Sequence, residues 1–205
     1  MNRTTPADFR AELEQIPTGA RDAWLDALCG IDETPDDGAA LPRGCVPYLP
    51  CPVATVLAAV QHASVTSDEV FVDVGSGAGR TVLLVHLLTG AECIGLEIQP
   101  ALVTAARGRA ESLQLERIRF EQGDAAELLG SITIGTVFFL YCPFSGERLD
   151  RVLDDLEAMA RARQIRICCV QMPPIERPWL VRLPATSVEL DVYRSTPPVL
   201  GFDTA

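Results

Sequence analysis

The chain has 205 residues, 48% of them apolar and 22% charged, which places it among globular domains and excludes a disordered or fibrous protein. Its 17 basic residues are all arginine, and against 28 acids they leave a net charge of −11, which opposes a polyphosphate backbone as partner. No uninterrupted apolar run approaches the roughly 18 residues a spanning helix needs, and the opening MNRTTPADFR has no apolar leader core, so a cytoplasmic protein without membrane contact is expected.

The acid is concentrated early: residues 1–70 hold eleven acids against four arginines. In this stretch Thr5-Pro6 predicts an N-cap with proline at the first helical position, opening a helix to about Ile16. A second helix is expected from about Thr18 to Cys29, stopped by Gly30. IDETPDDGAALPRG reads as a loop, and residues 52–63 as a third helix. Residues 1–66 thus form a helical N-terminal segment, expected to cover the site and to draw in a basic protein or peptide; a merely solvated charged face is the alternative.

Strand and helix then alternate. VFVDV (70–74), CIGLEI (93–98), RIRFEQ (117–122), TVFFLYC (136–142) and IRICCVQ (165–171) are the predicted strands. Helical patterns lie between them at 81–88, 100–114, 125–129 and 147–163. WLVRL (179–183) and VELDVYR (188–194) suggest a closing hairpin. Repeated β-α units predict an α/β fold: a Rossmann-like, doubly wound sheet of about seven strands over residues 67–195, with 196–205 a tail. Ligands of such sheets bind beyond the carboxyl ends of the strands, where the strand order reverses.

The seven cysteines are odd in number and include no C-x-x-C pair, so neither a zinc cluster nor a disulfide framework is expected. Cys168 and Cys169 read as small apolar residues of a buried strand. His62 and His86 fall in apolar helical stretches and read as core or boundary residues.

The end of the first strand carries Asp73-Val74-Gly75-Ser76-Gly77-Ala78-Gly79-Arg80. Glycines there allow a sharp turn and close approach of a ligand to the backbone. A dinucleotide fingerprint would need glycine at position 80, where this chain has arginine, and no P-loop spacing is present. A second acid, Glu97, ends the second strand, flanked by Ile98, and can accept both hydroxyls of a ribose. A third, Asp124, followed by Ala125, ends the third strand within reach of an adenine amine. Each acid alone has a plain structural alternative, as a cap or a surface charge. Together, with no basic group beside them for a pyrophosphate, they suit a phosphate-free cationic nucleoside such as S-adenosylmethionine.

FVDVGSGAGR, GLEI and GDA together resemble the motifs of class I, seven-β-strand S-adenosylmethionine-dependent methyltransferases. VPYLP at 46–50, followed by DVGSGAGR and GLEIQPALVTAARGRA, is similar to the protein lysine methyltransferases that include the ATP synthase c-subunit enzyme. Ala78 and Gln99 depart from the Asp and Asn of that family, and its membrane-targeting segment is missing. The resemblance implies that Asp73 and the backbone of Gly75, Ser76, Gly77 and Gly79 hold the methionine part of the donor. By the same resemblance Glu97 takes the ribose, Asp124 the adenine, and Tyr48 caps the pocket near the sulfonium. Tyr141, in LYCPF at the end of the fourth strand, either orients an acceptor amine or only packs. The Asn-Pro-Pro-Tyr signature of base methylation is absent there.

The expected activity is methyl transfer to a protein lysine. Three alternatives remain: a small-molecule or RNA acceptor, a module that binds the donor without turnover, and a nicotinamide oxidoreductase, which Arg80 disfavours.

Overall fold

The computed structural model describes residues 5–31, 41, 44–184 and 189–196. Most of the acidic 31–44 loop and nearly all of the C-terminal tail lie outside the described residues.

Helix α1 (Pro6–Gln15) begins on Thr5, whose hydroxyl accepts the Asp8 amide while the Asp8 carboxylate returns to the Thr5 backbone, a reciprocal capping box. A short 3-10 turn at 18–20 leads into α2 (Arg21–Cys29), which Gly30 closes in the left-handed conformation at φ +63°. Helix α3 (Val53–His62) follows.

The remaining elements are β1 (Val70–Val74), α4 (Arg80–Thr89), β2 (Glu92–Glu97), α5 (Pro100–Ser112), β3 (Ile118–Gln122) and α6 (Ala125–Leu128), then β4 (Val137–Tyr141), α7 (Glu147–Ala162), β5 (Arg166–Val170), β6 (Leu180–Leu183) and β7 (Leu190–Ser195). They build one seven-stranded sheet in the order β3-β2-β1-β4-β5-β7-β6. The first five strands run parallel, and β7 pairs antiparallel with both β5 and β6. The hairpin expected from the sequence therefore forms, with its second strand inside and its first strand at the edge.

Both faces of the sheet are covered, which explains why β1 and β4 are apolar on alternate and adjacent positions alike. On one face Phe71 and Phe139, with ring centroids 5.9 Å apart, pack with α4 and α5. On the other, Val72 and Phe138 meet α6 and α7, the latter through Val152, Leu153 and Leu156. Cys168 and Cys169 fall on opposite faces, both buried.

Helix α4 is apolar nearly all round because it is enclosed twice. Its inner side meets the sheet, and α1, α2 and α3 lie over its outer side in the same core. The N-terminal helices are thus a second layer behind α4, not a cover over the strand tips.

Candidate functional site

The strand order reverses between β1 and β4, and a cleft opens beyond the carboxyl ends of β1, β2 and β4. Gly75, Gly77, Glu97, Ile98, Asp124, Ala125, Tyr48 and Tyr141 all line it, although the chain separates Tyr48 from Tyr141 by nearly a hundred residues. Cys45, Val46, Pro47 and Leu49 form one wall, so within the N-terminal segment it is the stretch just before α3 that covers the site.

The loop 75–79 turns with Gly75, Gly77 and Gly79 at φ +89°, +53° and +83°, which L side chains adopt only under strain. Space is equally restrictive. A Cβ on Gly77 would stand 2.1 Å from the Tyr48 ring, and one on Gly75 would stand 2.9 Å from Pro143 Cβ. Ser76, between them, is buried, and its hydroxyl has no hydrogen-bond partner among the described residues.

Glu97 is buried at the tip of β2, where one carboxylate oxygen accepts the Gly77 amide at 2.8 Å and the other the Gln99 amide at 2.8 Å. Asp73 lies below the loop, 3% exposed, and does not line the cleft. Burial, with the nearby Glu97 charge second, pushes its carboxyl up to about 8. Asp124 caps α6 by accepting the Ala126 amide at 3.1 Å, and its other oxygen is paired with Arg148. Tyr48 is half-buried, and desolvation pushes its phenol up to about 12.

Cys142, within the LYCPF segment, and Gln171, which the sequence did not single out, also belong to the cleft. At the tips of β4 and β5, they line it with φ +42° and +52°. Left-handed non-glycine residues gather where surrounding structure holds a functional geometry. No local pattern marks Gln171. Neither histidine lines the cleft; His86 is tied through Nδ1 to the Ala91 carbonyl at 2.8 Å. Among the described residues no cluster of metal-ligating side chains is present.

The residues fit S-adenosylmethionine. The glycine loop brings backbone with little side-chain bulk to the edge of the cleft, and the carboxylates of Glu97 and Asp124 line it. No arginine lines it among the described residues, and Arg148, beside it, is paired with Asp124.

Residues 65–156 match the family model of a methyltransferase domain. No curated protein matches the chain. Among solved structures, an RNA methyltransferase from Salinibacter ruber in complex with S-adenosyl-L-homocysteine is 27% identical, with a TM-score of 0.55 over 74% of this chain and 95% of that one. A precorrin-6y C5,15-methyltransferase from Geobacter metallireducens shares the fold at 13% identity, with a TM-score of 0.51 over 77% of this chain and 93% of that one. The described residues contain no helix long and apolar enough to cross a membrane. Over residues 65–156 the chain carries a methyltransferase domain on a Rossmann-like seven-stranded fold, and the methyl donor of this enzyme is S-adenosylmethionine.

Proposed function

We propose that the chain methylates a nitrogen of a cationic acceptor, specifically a lysine side chain in a basic protein segment. One observation supports this reading: the cleft is lined by the Glu97 carboxylate and, among the described residues, by no arginine. Such a lining leaves an ammonium group unopposed and offers a nucleic-acid backbone little counter-charge.

The bound donor supplies an electrophilic methyl carbon on a sulfonium. The backbone of Gly75 and Gly77 would hold its methionine part, with the Asp73 carboxylate buried beneath, Glu97 would hold its ribose, and Asp124 would lie at its adenine side. The Arg148 pairing leaves Asp124 no spare charge, so its part is to shape that end of the cleft. Tyr48 would close the space above Gly77, where its ring already lies against the backbone. The attacking lysine must be neutral, and the apolar wall of Val46, Pro47, Leu49 and Phe144 lowers its pKa by disfavouring the ammonium form. Holding the neutral nitrogen in line with the methyl carbon that the donor would present is the task of the cleft walls, and such alignment would supply most of the acceleration. Tyr141, half-buried at the tip of β4, would orient the nitrogen through its hydroxyl.

A second reading, an RNA acceptor, is favoured by the Salinibacter ruber neighbour, itself described as an RNA methyltransferase. Transfer of labelled methyl groups into a cell lysate separates the two. The lysine reading expects label that protease removes and nuclease leaves, and the opposite sensitivity overturns it.

A further inference from the structure

We infer that Arg80 is a positioning residue for the donor site, holding in place the strap that carries Tyr48; this rests on the cleft being that site. Arg80 is the first residue of α4, directly after the glycine loop, and is 3% exposed. A cation there is opposed both by desolvation and by the positive end of the helix dipole. Two acids of α2 offset that cost. Nε donates to Asp26 Oδ1 at 2.6 Å and Nη2 to Asp22 Oδ1 at 2.8 Å, while Nη1 donates to the Cys51 carbonyl. The same Asp22 oxygen accepts the Val53 amide at 2.9 Å. The Arg80–Asp22 pair therefore grips the chain on both sides of Pro52.

That grip is one end of a strap. Its other end is fixed where the Val46 amide donates to the Pro143 carbonyl at 3.2 Å and Cys45 bridges to Phe144. Between these anchors the sequence is Val46-Pro47-Tyr48-Leu49-Pro50-Cys51-Pro52, and three prolines with fixed φ stiffen it. Tyr48 lies midway, with its ring on Gly77. A stiff strap pinned at both ends transmits the position of its anchors to its middle. The placement of Tyr48 over the glycine loop thus depends on Asp22 and Asp26, neither of which lines the cleft. Only a guanidinium can serve here, because its planar fork engages two carboxylates and a carbonyl at once; an ammonium is a single point of charge.

The decisive variant is Asp26→Ala, since Asp26 is about one-third exposed on α2 and its carboxylate accepts from Arg80. S-adenosylhomocysteine binding by calorimetry should weaken by about tenfold, within the usual range for coupled sites. Hydrogen exchange without ligand should rise in the 45–53 peptide while β1 and β4 peptides keep their protection. Asp26→Asn, which keeps an acceptor oxygen, should recover part of the affinity, and Arg80→Lys should behave like Asp26→Ala or worse. Should Arg80→Lys fail to fold, the two Asp26 variants decide. Unchanged affinity in Asp26→Ala, with or without a loosened strap, overturns the positioning role. A wild-type protein that binds no S-adenosylhomocysteine overturns the donor-site reading itself, and the exchange data still report whether Arg80 pins the strap.

Discussion

The Glu97 carboxylate holds the Gly77 amide at 2.8 Å across twenty residues of sequence, so the tip of β2 fixes the turn that follows β1. The acid that faces the cleft is also a strut of the glycine loop, because its second oxygen is committed to the Gln99 amide. Two functions therefore rest on one side chain. Glu97→Gln keeps one acceptor oxygen and loses the charge. S-adenosylhomocysteine affinity should fall by about 1.5–3 kcal/mol, the usual worth of a hydrogen bond to a charged group. Circular dichroism should show an intact fold, and affinity equal to wild type would remove Glu97 from the donor site.

Gly77→Val should abolish donor binding while leaving a folded sheet. The added side chain has no room beside the Tyr48 ring, 2.1 Å from an ideal Cβ, and φ +53° strains it further. A left-handed non-glycine residue costs about 1–2 kcal/mol, and a β-branched one more, so the melting temperature should drop by several degrees without loss of cooperativity. Calorimetry on the folded variant is the check.

Asp73 gives the protein a pH dependence of definite sign. Its carboxyl is pushed from 3.8 up to about 8, so between these limits the folded chain binds a proton that the unfolded chain has released. Stability from this group is therefore full at low pH, declines as pH rises toward 8 and levels off above. Urea unfolding at pH 5 and pH 9 should show a loss of a few kcal/mol that Asp73→Asn largely removes. A cationic ligand favours the ionised form, so binding at pH 7 should release protons, measurable as a dependence of the calorimetric enthalpy on buffer ionisation.

Tyr141→Phe distinguishes orientation from packing. If the hydroxyl places the acceptor nitrogen, turnover should fall by about tenfold, equivalent to about 1.4 kcal/mol, with S-adenosylhomocysteine affinity unchanged. Wild-type turnover assigns Tyr141 to packing.

Much of this molecule is written in short-range pattern. The β-α alternation, the Thr5 cap, the Gly30 stop and the glycine loop each depend on residues within one turn or one strand, and all are found where the sequence puts them. Strand-tip acids follow from the same logic, since a parallel sheet brings the ends of successive strands to one edge. What could not be read arises from long separations. Arg80 meets Asp22 and Asp26 across more than fifty residues, Tyr48 meets Gly77 through a strap anchored at both ends, and β7 enters the sheet between β5 and β6. Gln171 lines the cleft in a left-handed conformation that no neighbouring residue marks. Local sequence sets which backbone shapes are affordable within each element. Which distant side chains meet is decided only when the whole core closes, because burial, shared by every packed element, selects those contacts together.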